Sequence, residues 1–261
     1  IHTNVTERIR RNRDALVDIR TPIIHDRHLV KEAFEVLKSQ TEPNIFTHPK
    51  DLTILTCRNE GSLEDRIIDS LVGYDKISIL EANTKYLGLD LVVLKDARLP
   101  WRNTFKFEMI NDYLQSGKCT TEYFMFCDAV DVIFVDHPNK VIDIFKSFNC
   151  QALFMSTSSL DGYNCMPEVL NWVHNINGGI PRYLNSGVYI GKTSFVKELF
   201  EMAMEYALPH GVIMDEYREY LAKEPKDYPH GSQDQDIIRY LEPKLYPRLK
   251  VDYENKMAFR S

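Results

Sequence analysis

Tyr123-Phe124-Met125-Phe126-Cys127 is an unbroken apolar run that ends on a carboxylate, Asp128. It is too short for a buried helix and lacks polar alternation, so it reads as a strand covered on both faces, the place of a central strand in an α/β sheet. The segments around it continue the pattern. Residues 52–57 form a β-branched-rich run, followed by a loop and a helical stretch marked by Leu63, Ile67, Ile68 and Leu71. Residues 77–80 and 89–94 read as strands separated by a helical segment, and 105–114 as a helix. Residues 132–135 form a strand directly after Asp131, 138–148 a helix and 152–155 a strand. A long polar loop comes next, then the strand-like segment 183–190, a helix over 193–206, a final helix near Ile237 and a strand at 249–251. This alternation predicts an α/β fold with a mostly parallel sheet and helices on both faces.

Residues 1–50 read as a polar, helix-rich amino-terminal extension, with Leu29, Val30, Phe34, Val36 and Leu37 as its apolar face and Pro43 and Pro49 punctuating its end. Residues 51–261 form the main domain, since 261 residues suffice for one large core. A net charge of −6 and a pI near 5.8 argue against a nucleic-acid partner, because phosphate backbones demand a basic surface. An acidic protein that holds a diphosphate needs a cation to do so. The five cysteines, Cys57, Cys119, Cys127, Cys150 and Cys165, lack the close pairs of a zinc site, and their odd number leaves at least one without an intrachain partner. No apolar run approaches the roughly 18 to 20 residues of a membrane span. The start at Ile1 is no signal peptide and is compatible with removal of a targeting segment, while Asn4-Val5-Thr6 is a formal glycosylation acceptor. The compartment stays open between cytoplasm and secretory lumen.

Ligands of open α/β sheets collect at the carboxyl ends of strands, where Asp128 and Asp131 lie. Carboxylates suit Mg²⁺ or Mn²⁺, and an ion held by one or two of them completes its shell with phosphate oxygens and water. A phosphatase nucleophile is the competing reading of a strand that ends in Asp, but that chemistry favours a second Asp two residues on, not three. Tyr183-Leu184-Asn185-Ser186-Gly187-Val188-Tyr189-Ile190-Gly191 sets polar side chains and two glycines into an apolar run. Gly187 and Gly191 would admit close backbone approach, and Asn185 and Ser186 could bond sugar hydroxyls or phosphate, although an ordinary turn has the same composition. Gly231-Ser232-Gln233-Asp234-Gln235-Asp236 opens the last helix, so Asp234 reads either as part of a helix start or as a carboxylate aimed at a reacting group.

In this order, the stretches at 128–134, Cys165-Met166-Pro167-Glu168, 183–191 and Asp234-Gln235 resemble the glycosyltransferase domain of the procollagen lysyl hydroxylases and related collagen-type glycosyltransferases. The resemblance spans residues 52–261 and implies a GT-A fold, a UDP-sugar donor and Mn²⁺, with Mg²⁺ as the other candidate ion. It makes Asp128 and Asp131 the metal pair, and Asn185, Ser186, Gly187 and Asp234 contacts of donor or acceptor. Lys106 matches a lysine near the nucleotide, and Thr56 and Arg58 fall in the nucleotide-binding turn. The chain departs from the pattern at Val130, where the family has an aromatic, and at Met166, where it has Trp. The family's third metal ligand is a histidine beyond the last strand, a segment that would follow Ser261; His230 is the alternative within the chain. The implied reaction is transfer of a sugar, a hexose in the first instance, to an unidentified protein, glycan or small molecule, with Asp234 as general base if the anomer inverts. The alternative is a catalytically silent nucleotide-sugar-binding or scaffold domain.

Overall fold

The computed structural model describes residues 20–60, 77–98, 103–160, 162–163, 166–207 and 233–260. In chain order its elements are β1 (Ile23–His25), α1 (Val30–Gln40), β2 (Leu52–Asn59), α2 (Ile79–Leu87), β3 (Val92–Asp96) and α3 (Thr104–Gln115). There follow β4 (Tyr123–Cys127), β5 (Val132–Phe134), α4 (Pro138–Ser147), β6 (Ala152–Thr157) and α5 (Pro167–Ile176). The last are β7 (Tyr183–Lys192), α6 (Thr193–Ala207), α7 (Gln233–Leu245), β8 (Leu249–Asp252) and β9 (Ala258–Phe259).

The main sheet has the order β3-β2-β4-β7-β6-β8. β2 runs parallel to β3 and β4, and β6 parallel to β8, while β7 is antiparallel to both β4 and β6. A mixed, mostly parallel sheet between helical layers is therefore the observed architecture. Alternation along β4 divides the core. Tyr123, Met125 and Cys127 pack with α1, α2 and α4 through Phe34, Leu80 and Phe145, whereas Phe124 and Phe126 face Phe107 of α3, Phe200 of α6 and Ile238 of α7. Each of these strand side chains is buried, and full burial of one contributes about 1.5 to 3 kcal/mol. Both layers thus grip β4 and fix the point where it ends.

Several expectations need correction. Residues 77–80 are not a strand: Ser78 caps α2, its hydroxyl accepting from Glu81 N while the Glu81 carboxylate accepts from Ser78 N. This reciprocal capping box outweighs the β-branched character of Ile77 and Ile79. The following strand begins at Val92 rather than residue 89, because Gly88 ends α2 at φ 81° and Leu89 N still bonds Thr84 O. The long polar loop contains α5, opened by Pro167 and carrying Val169, Leu170 and Val173 at helical spacing. β5 leaves the main sheet and joins a small one of order β5-β1-β9. Its centre, β1, lies within the stretch that reads as a helix-rich lead-in. The helical stretch expected at 63–71 lies outside the described residues. Cys57, Cys119, Cys127 and Cys150 are free thiols, and Cys165 lies outside the described residues. Among the described residues no helix is long and apolar enough to cross a membrane.

Candidate active site

β4 of the main sheet and β1 of the small sheet end side by side. Ile24 pairs with Ile133 and His25 with Val132, so the β1–β5 ladder carries His25 to the turn that holds Asp128 and Asp131. His25 Nε2 lies 3.1 Å from Asp131 Oδ2 and 4.0 Å from Asp128 Oδ2. One ligand atom from each of the three side chains falls within 4.8 Å of the others. The His25 ring is 2% exposed. Its Nδ1 stands 2.8 Å from Met155 Sδ, which leaves Nε2 facing the carboxylates. The 3.1 Å approach is satisfied either by a proton that Nε2 donates to Asp131 or by a cation between the two atoms.

Asp131 Oδ1 supplies a second sign of the same need, being a buried oxygen without a hydrogen-bond partner. One nitrogen and two carboxylates form a donor set suited to Mn²⁺ or Mg²⁺. The residues present therefore fit a divalent ion. Burial pushes the Asp128 carboxyl up, with Asp131 adding to the rise and Lys106 and His25 opposing it. Asp131 is also disfavoured by burial, yet His25, with Arg260 and Lys106, outweighs this and holds its carboxyl below the usual range.

β7 brings the next groups. Its pairing with β6 jumps from Phe154↔Tyr189 to Met155↔Asn185, which loops Ser186, Gly187 and Val188 out of that ladder. The displaced strand presses on the His25–Asp128–Asp131 cluster, with Gly187 O accepting from Asp128 N at 2.8 Å. A Cβ on Gly187 would sit 2.2 Å from His25 Cε1 and 2.7 Å from Asp128 Oδ2, so any side chain there would displace both. Gly191 lies close to Gln151 O and Val196, not to a ligand-facing group, so its role is packing. Asn185 Oδ1 accepts from Gly187 N at 2.9 Å and shapes the bulge.

Asp234, in the first turn of α7, reaches across to this bulge. Ser186 Oγ donates to Asp234 Oδ2 at 3.3 Å, and Ser186 N donates to Gln235 Oε1 at 3.1 Å. Lys106 of α3 joins the two halves, with Nζ 3.2 Å from Asp128 Oδ1 and 2.9 Å from Asp234 Oδ2. Burial pulls the Lys106 ammonium down, but Asp128 and Asp234 together outweigh it and keep the group charged well above its ordinary value.

Lys106, Asp128, Asp131, Ser186, Gly187 and Asp234 are thus one cluster, with Asn185 behind it. Thr56 and Arg58 are tied to protein groups beside it. Thr56 Oγ1 donates to Cys127 O at 2.6 Å, and Arg58 pairs with Glu81 at 3.2 Å and Glu60 at 3.4 Å. A histidine that neither expectation named stands beside the two carboxylates. His25 stands in β1, ahead of the main sheet, and His230 lies outside the described residues. A signal is present in the sequence: Ile23-Ile24-His25 is a short apolar run ending on a ligand type, as the run before Asp128 is. Arg260, which no motif marks, lays its guanidinium on the His25 ring, with Nη1 3.0 Å from Nε2.

The sequence profile of the PLOD GT domain family matches residues 74–206, just over half of the chain. No curated protein sequence matches. Among solved structures, a glycosyltransferase involved in glycosylation of the major capsid of PBCV-1 has 14% identity over 77% of this chain and 80% of its own, at a TM-score of 0.39. Mouse xyloside xylosyltransferase 1, in its apo form, has 12% identity over 78% of this chain and 85% of its own, at a TM-score of 0.40. Likenesses of that size say nothing of donor, acceptor or metal.

Proposed function

Because the chain belongs to the PLOD glycosyltransferase-domain family and is a glycosyltransferase, we propose that it moves a sugar from a UDP-sugar to an acceptor, using Mn²⁺ or Mg²⁺ held by Asp128, Asp131 and His25. The observation that carries this reading is the convergence of His25 and the two carboxylates within 4.8 Å, with one Asp131 oxygen unpartnered. A bound divalent ion supplies Lewis acidity that stabilises the charge left on the departing diphosphate. The chain's own residues do the remainder. Lys106 adds a fixed positive charge between Asp128 and Asp234, where phosphate oxygens approach. The Ser186–Gly187 bulge sets a backbone wall against which the sugar rests, and Asn185 keeps that wall in place. Asp234 is the carboxylate available to take a proton from an acceptor hydroxyl if the reaction inverts. Thr56 and Arg58 line the nucleotide side in this reading. The acceptor is a protein, glycan or small molecule, and no nucleic acid is involved.

UDP release from a panel of UDP-sugars, with Mn²⁺ and with chelator, tests the proposal. Metal-dependent release from at least one donor is expected. Binding of UDP without release from any donor, with or without acceptor hydroxyls, would instead favour the silent binding domain.

A further inference from the structure

The largest fully buried side chain among the described residues is a charged one, Arg239 of α7, at 0% exposure. A buried guanidinium is costly unless it is paired, and an apolar residue of similar volume serves stability as well or better. Its contacts indicate what it gains. Nε donates to Leu184 O at 3.0 Å, and Nη2 donates to Ser159 O at 3.3 Å. The guanidinium carbon stands 4.4 Å from the centre of the Tyr163 ring, and Nη1 lies 3.6 Å from Asp236 Oδ1. Glu242, one turn further along α7, accepts from Tyr163 Oη at 2.9 Å and Tyr253 Oη at 3.0 Å. Gly162, at φ 88°, passes so near Asp236 that a Cβ would fall 1.9 Å from Oδ1.

Gln235 and Arg239 are one helical turn apart and share a face of α7. Gln235 receives the Ser186 N–H, which the bulge has taken out of the β6 ladder, while Arg239 donates to the Leu184 carbonyl two residues earlier. The helix therefore grips β7 at two points flanking Asn185, and Asp234 rides on the same grip. We propose that Arg239 is a positioning residue that fixes the height of α7 on β7 and so places Asp234 against Ser186 in the sugar half of the site. The inference rests on the sugar-transfer reading above. None of these Arg239 contacts touches His25, Asp128 or Asp131, so the metal half feels it only indirectly, through Lys106 and the bulge.

The test is Arg239→Lys, which keeps the charge but loses the planar fork needed to reach two carbonyls at once. Three quantities are compared with wild type: Mn²⁺-dependent UDP affinity by calorimetry, kcat and KM for UDP release from the best UDP-sugar, and hydrogen exchange at the Ser186 amide. Positioning predicts UDP affinity within about threefold, kcat down at least about tenfold with KM little changed, and Ser186 exchange at least about tenfold faster. A kcat within about twofold of wild type, or losses of UDP binding and kcat in equal proportion, would overturn it. If Arg239→Lys does not fold, Gln235→Met removes the Ser186 acceptor without disturbing the buried charge, and the same split decides. Should wild type fail to bind UDP with Mn²⁺, the proposed function fails. The positioning role then stands or falls on Ser186 exchange alone, with unchanged protection counting against it.

Discussion

Lys106 and Asp234 form a 2.9 Å ion pair that joins α3 to α7 across the mouth of the sheet. The same ammonium lies 3.2 Å from Asp128, so one cation offsets both the proposed metal ligand and the proposed base.

Removing that charge leaves carboxylates facing one another in a mostly desolvated place. Lys106→Met is expected to lower stability by about 3 kcal/mol or more, the scale for breaking a buried pair. Mn²⁺ should restore part of the loss, because it supplies positive charge at Asp128 from the other side. Thermal unfolding with and without Mn²⁺ measures both. A variant as stable as wild type without metal would show that the pair holds little.

Gly187→Ala places a methyl group where His25 Cε1 and Asp128 Oδ2 already lie. The clash is with ligand side chains, so the fold should survive while the ligands are forced apart. Mn²⁺ affinity, read from the free-ion signal in electron paramagnetic resonance, should fall at least about tenfold, equivalent to about 1.4 kcal/mol. Undiminished binding would place the metal elsewhere.

Asp234→Asn keeps the shape of the side chain and removes its charge. If Asp234 takes the acceptor proton, sugar transfer should fall by about a hundredfold or more while UDP affinity changes little. Near wild-type turnover on the true acceptor would reduce Asp234 to a partner of Lys106 and Ser186.

Glu242 gives a pH prediction outside the site. Burial raises its carboxyl from 4.5 to about 7, against the lowering effects of the Tyr163 and Tyr253 hydroxyls and of Arg239. The folded state therefore binds a proton that the unfolded state has already released between these values. Its stabilising contribution is full below about pH 4.5 and is lost as pH rises through about 7. Relative to Glu242→Gln, wild type should lose about 3 kcal/mol of stability over that window, since each tenfold difference in proton affinity between the folded and unfolded states is worth about 1.4 kcal/mol. Denaturant titrations at about pH 3.5 and about pH 8, on either side of the window from about 4.5 to about 7, measure the difference. Parallel stabilities at the two pH values would contradict the raised carboxyl.

What could be read in the sequence was set by local pattern. The run before Asp128 matches β4 residue for residue, because burial on both faces leaves no ambiguity of period. The amphipathic helices α3 and α4 were legible for a similar reason. Ser78 and Glu81 misled, since a capping box spans four residues and is easily lost beneath an apolar run. The site divided along the same line. Asp128, Asp131 and Asp234 announce themselves at element ends, whereas His25, though it too ends a short apolar run, is brought to the carboxylates by a ladder to β5, more than a hundred residues away. No local period encodes such a pairing. The Gly187 contacts with His25 and Asp128 depend on the same tertiary meeting.

The central claim is that Asp128, Asp131 and His25 bind the metal through which UDP is held. Calorimetric titration of UDP into the wild-type protein, once with Mn²⁺ and once with chelator, tests it most directly. The account predicts binding at least about tenfold tighter with Mn²⁺, because the diphosphate otherwise meets an acidic cleft, and loss of that gain in Asp131→Ala. Equal UDP affinity under the two conditions would contradict it.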